Sequence, residues 1–257
     1  MTHPWFAASA APRVLAHRGF VPLDAEDVVE NSIAAVAAAH AAGASYVESD
    51  CHITADGVVV LFHDDDLRRV ANDPRPVAAV THDELQRIMA HRGGLLTAAD
   101  AMTAFPTLRF NLDVKAASAA ESVGRIVAPH ADRVLLTSFS DERRRAALAS
   151  ARARGGEPAT SPGRSGVMRA LAASATGSTS LVRRALKNID ALQLPERQGP
   201  LRIVSQRLLD AAHAVGVEIH VWTVNDAADM DRLLDQGVDG LVTDRADLAL
   251  RAVARRA

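Results

Sequence analysis

Tyr46-Val47-Glu48-Ser49-Asp50-Cys51-His52 is the stretch that decides the fold, and Arg109-Phe110-Asn111-Leu112-Asp113-Val114-Lys115 repeats its pattern. In an extended strand, side chains alternate between faces. Glu48 and Asp50 therefore share one face, with Ser49 and Cys51 on the other; Asn111, Asp113 and Lys115 share a face in the same way. Two carboxylates turned into a barrel interior are costly without a counter-charge, so a bound cation or a facing Arg or Lys is required. A purely structural ion pair would meet the same requirement.

Outward from these two strands, β-branched runs alternate with Ala/Leu/Arg-rich helical stretches. Strands are read at Arg13 to His17, Tyr46 to His52, Arg109 to Lys115, Arg133 to Ser138, Pro158 to Ser161, Ala191 to Leu194, Glu218 to Val224 and Gly240 to Thr243. Helices are read at Ser32 to Ala42, Asp141 to Arg154, Ser205 to Val215 and Ala227 to Asp235, the last two stopped by Gly216 and Gly237. Eight parallel strands joined by helices predict an α/β fold, a (β/α)8 TIM barrel. The Asp56-Gly57 turn predicts that Val58 to His63 folds back on strand two as an extra strand. Gly155 to Gly166 and Ala172 to Ser180, rich in Gly, Ser and Pro, read as mobile loops.

The chain has 257 residues, 48% of them hydrophobic, which suits one barrel-sized domain over 1–257. A formal net charge of -2 gives no electrostatic footprint for nucleic acid or an anionic membrane. Cys51 is the single cysteine, so an internal disulfide and a thiolate metal site are excluded. Met1 to Pro12 lacks the basic start and apolar core of a signal peptide, and no apolar run approaches the ~20 residues of a membrane span. A cytoplasmic protein without stable membrane insertion is expected; the oligomeric state is left open.

In such a barrel the chemistry sits at the C-terminal ends of the strands. His17-Arg18-Gly19 closes strand one. Alone, it reads equally as a strand end with a solvated Arg and a turn Gly. His63 precedes Asp64, Asp65 and Asp66, and a carboxylate beside a histidine orients the ring and stabilises its imidazolium, which suits proton donation. A solvated loop histidine is the plainer alternative. Together the pieces read as a metal-assisted phosphodiesterase: two histidines exchange protons, Glu48, Asp50 and Asp113 hold a hard cation, and Arg18 with Lys115 neutralise a phosphate. An all-oxygen ligand set favours Mg²⁺, Ca²⁺ or Mn²⁺ over zinc. Asn31 and Ser32 are natural helix N-caps, and Thr243-Asp244 is read as another.

The order of the motifs resembles the glycerophosphodiester phosphodiesterase family, whose pattern runs H-R-G, P-E-N-T, E-x-D, T-x-D-G, H-D and E-x-K. Here these are His17-Arg18-Gly19, Glu30-Asn31-Ser32, Glu48-Ser49-Asp50, Thr54-Ala55-Asp56-Gly57, His63-Asp64 and Asp113-Val114-Lys115. Trp222-Thr223-Val224-Asn225 and Asp239-Gly240-Leu241-Val242-Thr243-Asp244 resemble the closing strands, so the likeness runs from about residue 14 to residue 248. Val29 stands where the family usually has Pro, and Asp113 where it usually has a third glutamate. The resemblance implies a small insertion between strands two and three, about residues 64–108, that shapes one wall of the pocket. It implies His17 and His63 as acid and base, with Arg18 and Lys115 on the phosphate, and one divalent cation, Mg or Ca with Mn possible. Trp222 would face substrate carbons, or simply pack in the core. Glu30, Asn31, Asp64 and Asn111 would support the pocket. The implied reaction is hydrolysis of small glycerophosphodiesters to sn-glycerol 3-phosphate and an alcohol, a step of lipid and glycerol metabolism. A lysophospholipase D or sphingomyelinase D-like activity is an alternative that Asp113 favours. A non-catalytic phosphodiester-binding barrel is another, against which His17 and His63 speak.

Overall fold

The computed structural model describes residues 3–7 and 11–256. The first half of the chain runs β1 (Arg13–His17), α1 (Ile33–Ala41), β2 (Tyr46–Ile53), β3 (Val59–Leu61), α2 (Arg68–Ala71), α3 (His82–Met89), α4 (Ala98–Ala104), β4 (Arg109–Val114), α5 (Ala120–Val127) and β5 (Val134–Thr137). It continues with α6 (Asp141–Arg152), β6 (Ala159–Thr160), α7 (Arg164–Ala175), α8 (Thr179–Ala185), β7 (Ala191–Pro195), β8 (Arg197–Gln198), β9 (Leu201–Arg202), α9 (Gln206–His213), β10 (Glu218–Trp222), α10 (Ala227–Asp235), β11 (Gly240–Thr243) and α11 (Ala246–Ala254). All eight expected strands are present.

Seven parallel ladders join those eight strands in the order β6-β5-β4-β2-β1-β11-β10-β7. The remaining seam, between β6 and β7, has no ladder. It is drawn together instead by Asp190 N donating to Thr160 O (3.0 Å), Thr160 N to the Asp190 carboxylate (2.8 Å) and Gln193 N to the Ser161 hydroxyl (3.2 Å). The result is a nearly closed parallel barrel, and β3 pairs antiparallel with β2 as the Asp56-Gly57 turn predicts.

Strand alternation sorts the core into two parts. Val14, Ala16, Val47, Cys51, Phe110, Leu112 and Val114 point outward into the layer shared with the helices. Leu15, Tyr46, Leu135, Ala159, Ala191 and Val242 point inward and pack around Trp5 and Phe6. These two aromatics come from a 3-10 turn, Pro4–Ala7, that no periodicity or cap residue marks in the sequence. Trp5 is fully buried, donates its indole N–H to Phe110 O at 3.1 Å and meets Tyr46 edge-on at 4.7 Å. The turn thus stops the N-terminal end of the barrel.

Between strands two and three, within 64–108, α4 belongs to the barrel proper: Ala98, Ala101 and Met102 lie in its outer core. A separate apolar cluster of Val60, Phe62, Leu67, Val77, Val80, Leu85 and Met89 marks the part that stands off the barrel. The reading of two mobile loops needs correction. Gly155 to Gly166 holds, besides the strand expected at Pro158 to Ser161, the start of α7, and Ala172 to Ser180 spans the end of α7 and the start of α8. Gly155 and Gly177 turn the chain at φ 78° and 73°, whereas Gly156 serves packing and Ser178 capping: a Cβ on Gly156 would lie 2.6 Å from the Ala128 backbone, and Ser178 caps α8 by accepting from Leu181 N.

Candidate active site

β1 ends at His17, and the chain reverses through Arg18 and Gly19 at φ 57° and 87°. A positive φ is uncommon for a residue other than glycine, and such backbone gathers at functional sites. Gly19 has no alternative: a Cβ there would lie 2.7 Å from the Ala35 backbone of α1. The turn swings both His17 and Arg18 over the strand ends. Ladder register then sets His17 beside Glu48, Glu48 beside Asn111, and Asp50 beside Asp113.

Asp50 is where the charges meet. Lys115 Nζ lies 2.9 Å from Asp50 Oδ1 and 2.9 Å from Asp113 Oδ2. Arg18 Nε is 3.1 Å from Asp50 Oδ2, an ion pair without hydrogen-bond alignment, while Nη1 donates to Glu30 at 2.6 Å. Asn31, itself at φ 61°, donates to Asp50 Oδ2 at 3.3 Å and accepts the Ser49 hydroxyl. Ser32 alone is the α1 cap, accepting from Ala35 N at 3.1 Å, so Asn31 belongs to the site rather than to the helix end.

Burial sets the remaining electrostatics. Glu48 is pushed up to about 8, first by desolvation and then by the neighbouring Asp50 charge. Burial also raises Asp113, against the pull of Lys115. Desolvation would lower Lys115, but Asp50 and Asp113 hold it well above its ordinary value. Glu48 Oε2, Asp113 Oδ1 and Asn111 Oδ1 are buried with no hydrogen-bond partner. Unsatisfied buried oxygens are rare in folded proteins and mark a place where a donor or cation belongs.

Each histidine carries its own carboxylate. His17 Nδ1 lies 2.6 Å from Asp244 Oδ1, and Asp244 in turn accepts from Asn225 Nδ2 at 2.6 Å. Burial disfavours the imidazolium of His17, yet the bond to Asp244 and the charge of Glu48 outweigh it and raise the pKa. With Nδ1–H committed to Asp244, Nε2 faces Glu48 at 3.8 Å across the pocket. His63 Nδ1 lies 2.7 Å from Asp64, whose other oxygen accepts from Arg69 at 2.7 Å. Burial would raise Asp64, but the bonds from Arg69 and His63 lower it. Arg69 also reaches Glu30 at 2.7 Å, which completes a chain of charged contacts from Arg18 through Glu30, Arg69 and Asp64 to His63. His52 holds the His63 carbonyl through Nε2 at 3.2 Å. A cavity of about 410 Å³ opens among His63, Asp64, Asp65, Asp66 and Lys115.

Trp222, half-buried at the end of β10, packs on the inner core and meets Phe139 edge-on, ring centroids 5.8 Å apart. The structure therefore brings every expected site residue to the C-terminal mouth of the barrel. Asp244 and Phe139 were missed. Asp244 is not an N-cap; it follows Thr243, the register partner of Ala16, so it falls opposite His17. That alternation was readable on the last strand. Phe139 lies in a loop, where no periodicity reports it.

As the side chains stand, no three His, Cys, Asp or Glu among the described residues form a group that could hold a metal ion. Lys115 sits between Asp50 and Asp113. The orphaned oxygens of Glu48 and Asp113 are nevertheless the hard anionic donors that a Mg²⁺- or Ca²⁺-type cation takes, so the donor chemistry fits. No helix among the described residues is long and apolar enough to cross a membrane.

The chain is similar to known proteins over nearly its whole length. The model of the glycerophosphoryl diester phosphodiesterase family matches residues 17–248. "Probable glycerophosphodiester phosphodiesterase 2" of Mycobacterium tuberculosis is 36% identical over 241 residues, which cover 91% of this chain and 88% of that protein. Among solved structures, an Oleispira antarctica phosphodiesterase in complex with the product sn-glycerol-3-phosphate superposes with a TM-score of 0.72 at 21% identity, covering 95% of this chain and 97% of that one. A glycerophosphodiester phosphodiesterase of Thermotoga maritima gives a TM-score of 0.66 at 24% identity, with 93% and 96% covered.

Proposed function

The chain belongs to the glycerophosphoryl diester phosphodiesterase family and is an enzyme of that kind, and we propose that it releases sn-glycerol 3-phosphate and an alcohol from small glycerophosphodiesters by two-histidine catalysis with one divalent cation. The observation that carries the mechanism is the pair of histidine–carboxylate units, His17 with Asp244 and His63 with Asp64, the first beside Glu48 and the second lining one cavity with Lys115. The sn-glycerol-3-phosphate held by the Oleispira antarctica protein supports the product.

His17 Nε2 takes the proton of the attacking hydroxyl, either water, which gives sn-glycerol 3-phosphate directly, or the substrate's own glycerol 2-hydroxyl, which gives a cyclic phosphate that water then opens to sn-glycerol 3-phosphate with the two histidines exchanging roles. As the bond from phosphorus to the leaving oxygen breaks, His63 returns a proton to the departing alcohol. Arg18 and Lys115 offset the negative charge that gathers on the phosphoryl oxygens, where preorganised cations act most strongly. Glu48, Asp50 and Asp113 would hold the cation, Mg²⁺ or Ca²⁺ with Mn²⁺ also suited, which supplies Lewis-acid polarisation of a phosphoryl oxygen.

Release of sn-glycerol 3-phosphate from glycerophosphocholine tests the reading. His17→Ala and His63→Ala should each lower kcat by ~10² to 10⁴-fold with the fold intact. Exhaustive chelation should silence the enzyme, and Mg²⁺, Ca²⁺ or Mn²⁺ should restore it. Near-normal turnover in either folded variant would end the two-histidine mechanism, and activity that survives chelation would remove the cation.

A further inference from the structure

The net charge of -2 conceals an uneven distribution. From Pro158 to Ile189 the sequence contains no Asp or Glu, yet it carries Arg164, Arg169, Arg183, Arg184 and Lys187. All of them are exposed, on α7, on α8 or just past its end. Elsewhere on the surface arginines are matched by carboxylates, as Arg75 is by Asp73 and Glu84, Arg232 by Glu196 and Asp229, and Arg256 by Asp231 and Asp235. None of the α7–α8 cations meets a carboxylate among the described residues. Arg169 donates to the Ser165 hydroxyl at 3.2 Å, and Arg164 lies over the Phe139 ring. Arg207 of α9 adds a further cation at the end of α7 by donating to Ala175 O at 3.2 Å.

The same helices expose apolar side chains among these cations. Met168, one turn after Arg164 and next to Arg169, is 64% exposed, and Leu181, one turn before Arg184, is 44% exposed. Helical periodicity sets Arg164, Met168 and Ala172 in one row on α7, and Leu181 with Arg184 in one row on α8. Both helices turn their other sides into one core, through Ala170 and Ala173 of α7 and Val182 of α8, and they pack against each other. Their open faces therefore point away from the barrel together. Cations around exposed Met and Leu suit the headgroup region of an anionic bilayer, where the charges meet lipid phosphate and the apolar side chains reach the acyl boundary. Nucleic acid is a poorer match, because the face offers no aromatic ring for base stacking and would set Met168 and Leu181 against phosphates. We propose that the α7–α8 face docks the protein on an anionic phospholipid surface, reversibly and without a spanning segment. α7 leaves the barrel at the C-terminal end of β6, so the docked face adjoins the catalytic mouth. Such docking goes beyond the phosphodiesterase reading and does not depend on it.

Co-sedimentation of the full chain with vesicles is the experiment, comparing equimolar phosphatidylglycerol and phosphatidylcholine with phosphatidylcholine alone. Wild type should bind the anionic vesicles and not the neutral ones, and raising salt from about 0.1 M to about 0.5 M should release it. Each basic side chain near an anionic surface is worth about fivefold in affinity, so joint replacement by Arg183→Gln, Arg184→Gln and Lys187→Gln should weaken binding about 100-fold. Gln has nearly the helix propensity of Arg and Lys, so this variant should unfold at the wild-type temperature. Met168→Gln, which removes apolar area at nearly constant volume, should weaken binding by about fivefold. It sits on the other helix and carries the test if the triple variant does not fold. Equal binding to both kinds of vesicle, binding to neither, or full binding by a folded triple variant would each overturn the proposal. So would affinity that Met168→Gln leaves unchanged. Binding of a DNA duplex while vesicles are ignored would overturn it as well, and would give the face to nucleic acid.

Discussion

In the proposed mechanism His17 can accept a proton at Nε2 only while Nδ1 keeps its own, and Asp244, at 2.6 Å, is the group that ensures this. The same contact raises the His17 pKa. Asp244→Asn should therefore lower kcat by roughly 10²-fold or more and move the acid limb of the pH–rate profile to lower pH, since a base that loses its anionic partner is protonated less readily. A slower enzyme with an unmoved acid limb would mean that Asp244 is not setting the base. Asp113, where the chain departs from the family pattern, gives a second test. If its orphaned oxygen belongs to the cation, Asp113→Asn should weaken metal activation sharply, and Asp113→Glu, which keeps the charge, should be milder. Equal metal dependence in wild type and Asp113→Asn would leave Asp113 as the holder of Lys115 only. These two residues also show how far the sequence could be read. Asp113 stands in a strand whose alternation alone groups it with Asn111 and Lys115, whereas the partner of Asp244 is 227 positions away and depends on barrel closure.

At the scale of elements, the eight barrel strands and the helices α1, α6, α9 and α10 were legible because their signals are local: alternation for β2 and β4, a Ser cap ahead of α1, glycines after α9 and α10. The helices α7 and α8 were not, and ahead of α7 the glycine at 163 follows tertiary contacts rather than a turn. Gly163 shows the difference. Its φ of -76° is open to any residue, so only its neighbours demand glycine. Gly163→Ala would press a methyl group against Asp141 N, Ser138 O and Phe139 O, backbone atoms that cannot rotate aside. A loss of about 1–3 kcal/mol in unfolding free energy is expected, with a higher KM because the Phe139 loop must shift. Chemical denaturation checks the first part and steady-state kinetics the second. A variant as stable as wild type would show that the loop is looser than these contacts imply.

The whole molecule divides its electrostatics between two ends. At the catalytic mouth, carboxyl oxygens are left unpaired and Glu48 is pushed upward. At the opposite end, beside the Trp5 stopper, the charges are matched. Arg13 donates to Glu218 through Nε and Nη2, both at 2.8 Å, and to the Tyr46 hydroxyl at 2.8 Å, while His220 lies 3.1 Å from the same Glu218. The unfavourable groups serve chemistry, and the matched end holds the barrel together. Burial acts to raise Glu218, but the bonds from Arg13 and His220 prevail and bring it down from 4.5 to about 2. A carboxyl depressed on folding adds stability above its unfolded pKa and loses it as pH falls toward the folded one. The contribution of Glu218 should thus be complete at neutral pH and fade between about 4.5 and 2, on the order of 3 kcal/mol in all. Glu218→Gln should be less stable than wild type by roughly that amount at pH 7, and the gap should close by about half at pH 3, where the carboxyl is protonated in the unfolded chain but still mostly ionised in the folded one. Urea unfolding of both proteins across this range decides the matter. A gap that stays constant from pH 7 to pH 3 would mean that the Gln variant is harmed by altered packing, and that the matched charges at this end contribute nothing that depends on ionisation.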